Sequence, residues 1–177
     1  MASIVYTGAG QVLDADVRYV KWVGRTKGGK AVQIELERAF CRSNPEWTFE
    51  EKNETTPALE FEGLYTDEAL AKDDRTEPWK LTLPDGLTAG NAEILLGVGK
   101  FYIGTSAEDA ELVGLTRGGG SFIVEREYRD INADDDPGSV QGRISKDTGR
   151  PKLTLNALQW LSKVSKLYAC ITTPATT

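Results

Sequence analysis

At 177 residues, with 40% hydrophobic and 27% charged side chains, the chain has room for one domain with a real core and the composition of an ordinary globular protein. A formal charge of −6 argues against a grip on nucleic acid built by neutralising phosphates, and the lack of any histidine removes the commonest acid–base and metal-ligating side chain. Two distant cysteines, Cys41 and Cys170, form no disulfide framework and suit a reducing setting as free thiols; Met1-Ala2-Ser3-Ile4-Val5 lacks the basic start of a signal peptide, and no apolar run spans a bilayer, so neither secretion nor a membrane is expected.

Residues Asp16 to Val23 are rich in β-formers and predict a strand. Gly24 to Lys30 reads as a turn. Ala31 to Phe40 alternates most cleanly, with Val32, Ile34 and Leu36 against Gln33, Glu35 and Glu37, so the two runs predict a β-hairpin. Trp47 to Glu51, Ala58 to Tyr65 and Trp79 to Leu83 are further strand candidates. Asp67 to Arg75 is a loose helical turn or a surface loop, and Pro84 to Asn91 is the best candidate linker.

In the second half, Ile94 to Val98, Gly99 to Gly104 and Leu112 to Leu115 are short apolar strand candidates ahead of the triplet Gly118 to Gly120. Ser121 to Asp130 reads as a strand that enters a long polar excursion, Asp130 to Arg150. Loops of that length are usually functional or disordered. Lys152 to Leu155 returns as a strand. A helix is predicted over Asn156 to Tyr168: Leu158, Leu161, Val164 and Leu167 fall at helical spacing, Asn156 can cap the first turn, and Lys163 and Lys166 suit the far end of the dipole. The expected fold is mainly β, with one flanking amphipathic helix.

The motifs that could carry chemistry are incomplete. Gly24 to Lys30 matches G-x-x-x-x-G-K, but Ala31 stands where a phosphate loop needs Ser or Thr, and a strand follows where a helix should open. Gly97-Val98-Gly99 starts like a dinucleotide fingerprint without its third glycine in place. Asp130, Asn132 and Asp134 have calcium-loop spacing, but Asp135 replaces the turn glycine and Gln141 the bidentate glutamate. Glu35, Glu37, Glu60, Glu62, Glu125 and Glu127 alternate as the wet face of a sheet does. No enzyme, cofactor or metal is expected. The tryptophans Trp22, Trp47, Trp79 and Trp160 read as core or interface anchors.

Two stretches resemble the tail tube (major tail) proteins of long-tailed bacteriophages. Gly97 to Tyr168 resembles the family's N-terminal half through GVGKFYIG, GLTRGGGSFIVEREYRDI, the long acidic loop and the return KLTLNALQWLSKV. Tyr19 to Leu81 resembles its C-terminal half through YVKWVGRTKGGKAVQIELERAF, PEWTFEEKNETTPALEFEGLYTD and EPWKLTL. The halves stand in reversed order, as in a circular permutation: one domain over 1–177, with 1–83 like the family's second half, 84–91 the join and 92–177 like its first.

The resemblance implies a two-sheet β-sandwich or partial barrel whose copies close into homo-hexameric rings that stack into a hollow tube. Double-stranded DNA would pass through its acidic lumen without specific binding. Tape measure and tail terminator proteins would be partners, and the protein would be made in the host cytoplasm and end in the virion tail. The long loop, with Asp130, Asp134, Asp135, Asp136, Arg143, Lys146 and Arg150, would reach a neighbouring subunit or ring and order on assembly. Three other readings are open: a tube subunit of a contractile injection system, a small β-sandwich binding module, and, least expected, an acidic glycosidase-like enzyme using two carboxylates across a cleft.

Overall fold

The structure is a computed structural model and describes residues 7–8, 14–46, 56–66, 77–85, 95–131, 143–158, 164–168 and 171–172. It is mainly β and antiparallel. The strands are β1 (Thr7–Gly8), β2 (Arg18–Thr26), β3 (Ala31–Cys41), β4 (Ala58–Gly63), β5 (Trp79–Thr82), β6 (Leu95–Gly104), β7 (Glu111–Asp130), β8 (Ile144–Ala157) and β9 (Ile171–Thr172). One helical turn, α1 (Val164–Leu167), precedes β9.

Seven strands form one sheet in the order β2-β6-β7-β8-β4-β3-β5, and a further pairing of β2 with β3 closes the circuit. One edge of β3 pairs with β2. Its other edge is shared end to end, Gln33 to Leu36 with β5 and Ala39 to Cys41 with β4. A closed circuit leaves few exposed ladder edges on the body of the domain. Separately, Thr7 pairs with Thr172 and Gly8 with Ile171, which stitches the outer ends of the two halves together.

Alternation sends one face of each strand inward. Val20, Trp22, Ile34, Leu36, Leu59, Phe61, Phe101, Ile103, Leu153 and Leu155 form a continuous core, joined by Leu167 and Tyr168 from the helical turn. The predicted hairpin is present, with Thr26 N–H donating to Lys30 O at 2.8 Å and Gly29 at φ 81° in the turn. Gly24 to Lys30 is therefore strand end and turn, as the following strand required.

Trp22 is held by absences. A Cβ on Gly24 would collide with its six-membered ring, and one on Gly99 would lie 2.5 Å from its Nε1. Its N–H donates to Thr116 Oγ1 at 3.4 Å, and the same hydroxyl accepts from Gly99 N–H at 3.0 Å.

Cys41 is a free, buried thiol on β3. Burial pushes it up to about 11 from 9.0, against smaller opposing hydrogen bonds from Ser43. In a Cys170→Ser variant, Cys41 is expected to resist a thiol reagent at neutral pH in the native state and to react fully in urea. Rapid native labelling would show that β3 opens locally.

Three expectations are corrected. The helix does not begin at Asn156: Asn156 pairs with Ala58 and Ala157 with Thr116, so both belong to β8. The predicted first turn overlaps the end of a strand whose alternate residues Leu153, Leu155 and Ala157 enter the core. Residues 159–163 lie outside the described residues, which contain only the turn Val164–Leu167.

Next, Ile144 to Arg150 is strand, not loop; its register with β7 runs from Asp130↔Ile144 to Glu125↔Arg150. Finally, Leu112 to Leu115 and Ser121 to Asp130 are one strand, as are the two runs of β6. Gly118 (φ 78°) and Gly119 (φ 91°) let β7 bulge without breaking, opposite Asn156. Trp47 to Glu51, the stretch Asp67 to Arg75, Trp160, Cys170 and most of the linker lie outside the described residues.

Candidate interaction surface

Strands β7 and β8 are far longer than their neighbours need. Strand β6 pairs with β7 only as far as Leu115, and β4 pairs with β8 only from Lys152 onward. Beyond those points the two strands continue as a hairpin paired only with itself, out to Asp130 and Ile144. Among the described residues, no other strand pairs with the outer edge of this arm.

Beyond its base, the β7 strand of the arm is exposed on both faces. Period-two alternation puts Phe122, Val124, Arg126 and Tyr128 on one face, and Ile123, Glu125, Glu127 and Arg129 on the other. Phe122 and Val124 are half-buried at the base, whereas all of Glu125 to Ile131 is exposed. Ile123 is 52% exposed on one face and Tyr128 61% on the other, with Ile131 and Ile144 also exposed. The outer face carries both signs of charge, including the Lys152–Glu125 pair at 2.9 Å opposite Ile123 and Arg150.

The predicted loop residues divide accordingly. Asp130 closes β7 opposite Ile144, and Ile131 N–H donates to Arg143 O at 2.9 Å. Lys146 lies opposite Tyr128, and Arg150 opposite Glu125. The hairpin thus brings Asp130, Arg143, Lys146 and Arg150 onto one arm; Asp134, Asp135 and Asp136 lie outside the described residues.

The joint between arm and barrel was not legible in the sequence. Glu77, just ahead of β5, accepts hydrogen bonds from Lys146 on β8, from the indole N–H of Trp79, and from Arg126 on β7 at 3.2 Å. The Trp79 ring meets Phe122 edge to face, with centroids 5.5 Å apart. At Gly149 the arm passes so close to the body that a Cβ would lie 2.8 Å from Tyr65 Oη and 3.2 Å from Glu77 Oε1. Arg126 and Lys146 lie 49 and 69 residues from Glu77 in sequence, so no local pattern announces them.

Burial pulls the Glu77 carboxyl upward, but the hydrogen bonds from Lys146, Trp79 and Arg126 outweigh it and hold it at about 2, below the usual 4.5. The sign follows: its contribution is fully present above pH 4.5 and is lost as pH falls through about 2. Amide exchange in the arm is therefore expected to accelerate, relative to the barrel, between pH 4.5 and 2, after correction for the intrinsic pH dependence of exchange. Glu77→Gln should flatten that difference.

Among the described residues there is no group of three Cys, Asp or Glu side chains placed to hold a metal ion, and no helix long and apolar enough to cross a membrane. A cavity of about 360 Å³ lies beside the β7 bulge, lined by Trp22, Ile34, Phe122, Leu153 and Leu155 with Gly119 and Gly120. Comparisons with protein-family models, curated proteins and solved structures found no match for the chain.

Proposed function

We propose that this chain is a structural subunit of a phage tail tube, which self-assembles into hexameric rings that stack into a hollow conduit for viral DNA. The observation that carries the reading is the β7–β8 arm: a long hairpin with unpaired strand edges, exposed isoleucines and both signs of charge. Such an edge is a template for pairing with another chain, and natural proteins blunt or cover it. Another copy of the subunit is the economical cover, since heterologous contacts that close give rings.

Two further features support the reading. A reversed order of halves needs their outer ends side by side, and β1 pairs with β9. The formal charge of −6 suits a conduit that repels DNA phosphates. Tape measure and terminator proteins would then meet the ends of the tube, and the protein would reside in the virion tail. A tube subunit of a contractile injection system is the related alternative.

The cavity beside Trp22 favours a second reading, a small β-barrel binding module, because barrel mouths lined by aromatic and aliphatic side chains hold small ligands. Negative-stain electron microscopy from dilute to concentrated protein separates the two. Rings or tubes are expected; uniform small particles at every concentration would overturn the tube reading.

A further inference from the structure

We propose that Glu77 is a positioning residue that locks the β7–β8 arm at one angle to the barrel, so that the arm meets its partner already set. The inference rests on the reading of the arm as the contact between subunits. The geometry is that of a latch. One carboxylate on the body collects a guanidinium from one arm strand and an ammonium from the other, and an indole N–H orients it from β5.

Burial makes that arrangement consequential. The Glu77 side chain keeps only 11% of its surface exposed, whereas Arg126 and Lys146 keep 40% and 35%. Charge-assisted bonds to a mostly buried carboxylate are stronger than those on open surface, and removing its partners leaves a charge poorly solvated. Gly149 is an independent sign of the same fit. A side chain there would press on Tyr65 Oη and Glu77 Oε1 together, so both side-chain ends would have to give way and the carboxylate would leave its present position.

The latch also decides which face of the arm is offered. Arg126, Lys146 and the residues in step with them turn toward the body, which leaves Ile123, Glu125, Glu127 and Arg129 facing outward. A preset arm loses less conformational freedom on docking than one that orders on contact, so assembly should start at lower concentration.

The test is hydrogen–deuterium exchange on the soluble protein below its assembly concentration, for the parent, Glu77→Gln, Lys146→Met and Gly149→Ala. Arm amides in 122–130 and 144–150 should exchange on the order of tenfold faster in all three variants, as expected for loss of a charge-assisted bond. Barrel amides in 18–26 and 95–104 should be unchanged, and the onset of assembly should move to higher concentration. Unchanged arm exchange in Lys146→Met and Gly149→Ala, or equal acceleration throughout the barrel, would overturn the latch. If arm exchange accelerates while the parent never assembles, the latch stands and the tube reading fails.

Discussion

Trp22→Ala is expected to destabilise the protein by about 3–5 kcal/mol, at the upper end for a buried side chain. The indole crosses β2 and β6 where Gly24 and Gly99 leave space, and its N–H meets the hydroxyl of Thr116 on β7. Truncation would remove the ring, leave that space empty on both sides and enlarge the cavity already present beside it. Because buried Thr116 Oγ1 also bonds the Gly99 amide and carbonyl, three strands are tied at this point.

The converse change should fail for the opposite reason. Gly99→Ala puts a methyl 2.5 Å from Trp22 Nε1 and 2.7 Å from Val23 O, so either the ring or the backbone must shift. Overpacking of this kind costs about 1–3 kcal/mol. The pair should be non-additive: once the indole is gone the extra methyl has room, so the double variant should lose clearly less than the sum. Urea unfolding of the four proteins measures this directly. Strict additivity would mean that the glycine answers to the Val23 carbonyl rather than to the ring.

What the sequence disclosed and what it hid divide along burial. Strands with one face in the core announce themselves, because Val32, Ile34 and Leu36 alternate with Gln33, Glu35 and Glu37. Ile144 to Arg150 is strand with no such alternation; it is held by the ladder with β7 and by Glu77. Its Ser, Lys, Asp, Thr and Gly residues are those of a loop, and local composition alone reads it so. At Asn156 the reverse error arose. The predicted helix took in Asn156 and Ala157, which instead complete the strand whose period-two burial includes Leu153 and Leu155, while Val164–Leu167 of the same stripe is helical. The charged residues of the arm were legible as a group, but Glu77 was not, because only the closing of the barrel brings β5 beside β7 and β8.

Removing the arm is expected to have the largest effect on assembly and a small one on the fold. Replacing residues 126–149 with Asn-Gly would join Glu125 to Arg150, which already face each other across the ladder. That dipeptide suits a two-residue hairpin turn. The core residues Phe101, Ile103, Leu153 and Leu155 all lie on the barrel side of the cut. A Glu77→Gln change should accompany the deletion, since the carboxylate would otherwise lose both cationic partners. The shortened protein should retain a cooperative thermal transition and remain monomeric by light scattering at concentrations where the parent forms rings or tubes.

The control is the paired substitution Ile123→Lys and Ile131→Lys, two exposed positions, which keeps the arm and adds charge to it. An inward-pointing or edge lysine is how natural sheets prevent edge-to-edge association, so this variant should also stay monomeric. If the shortened protein assembles as readily as the parent, the contact lies elsewhere on the barrel and the arm is not its template. If only the lysine variant fails, added charge rather than the arm itself decides association. Failure of both variants, each with an intact thermal transition, is the outcome that self-assembly through the arm requires.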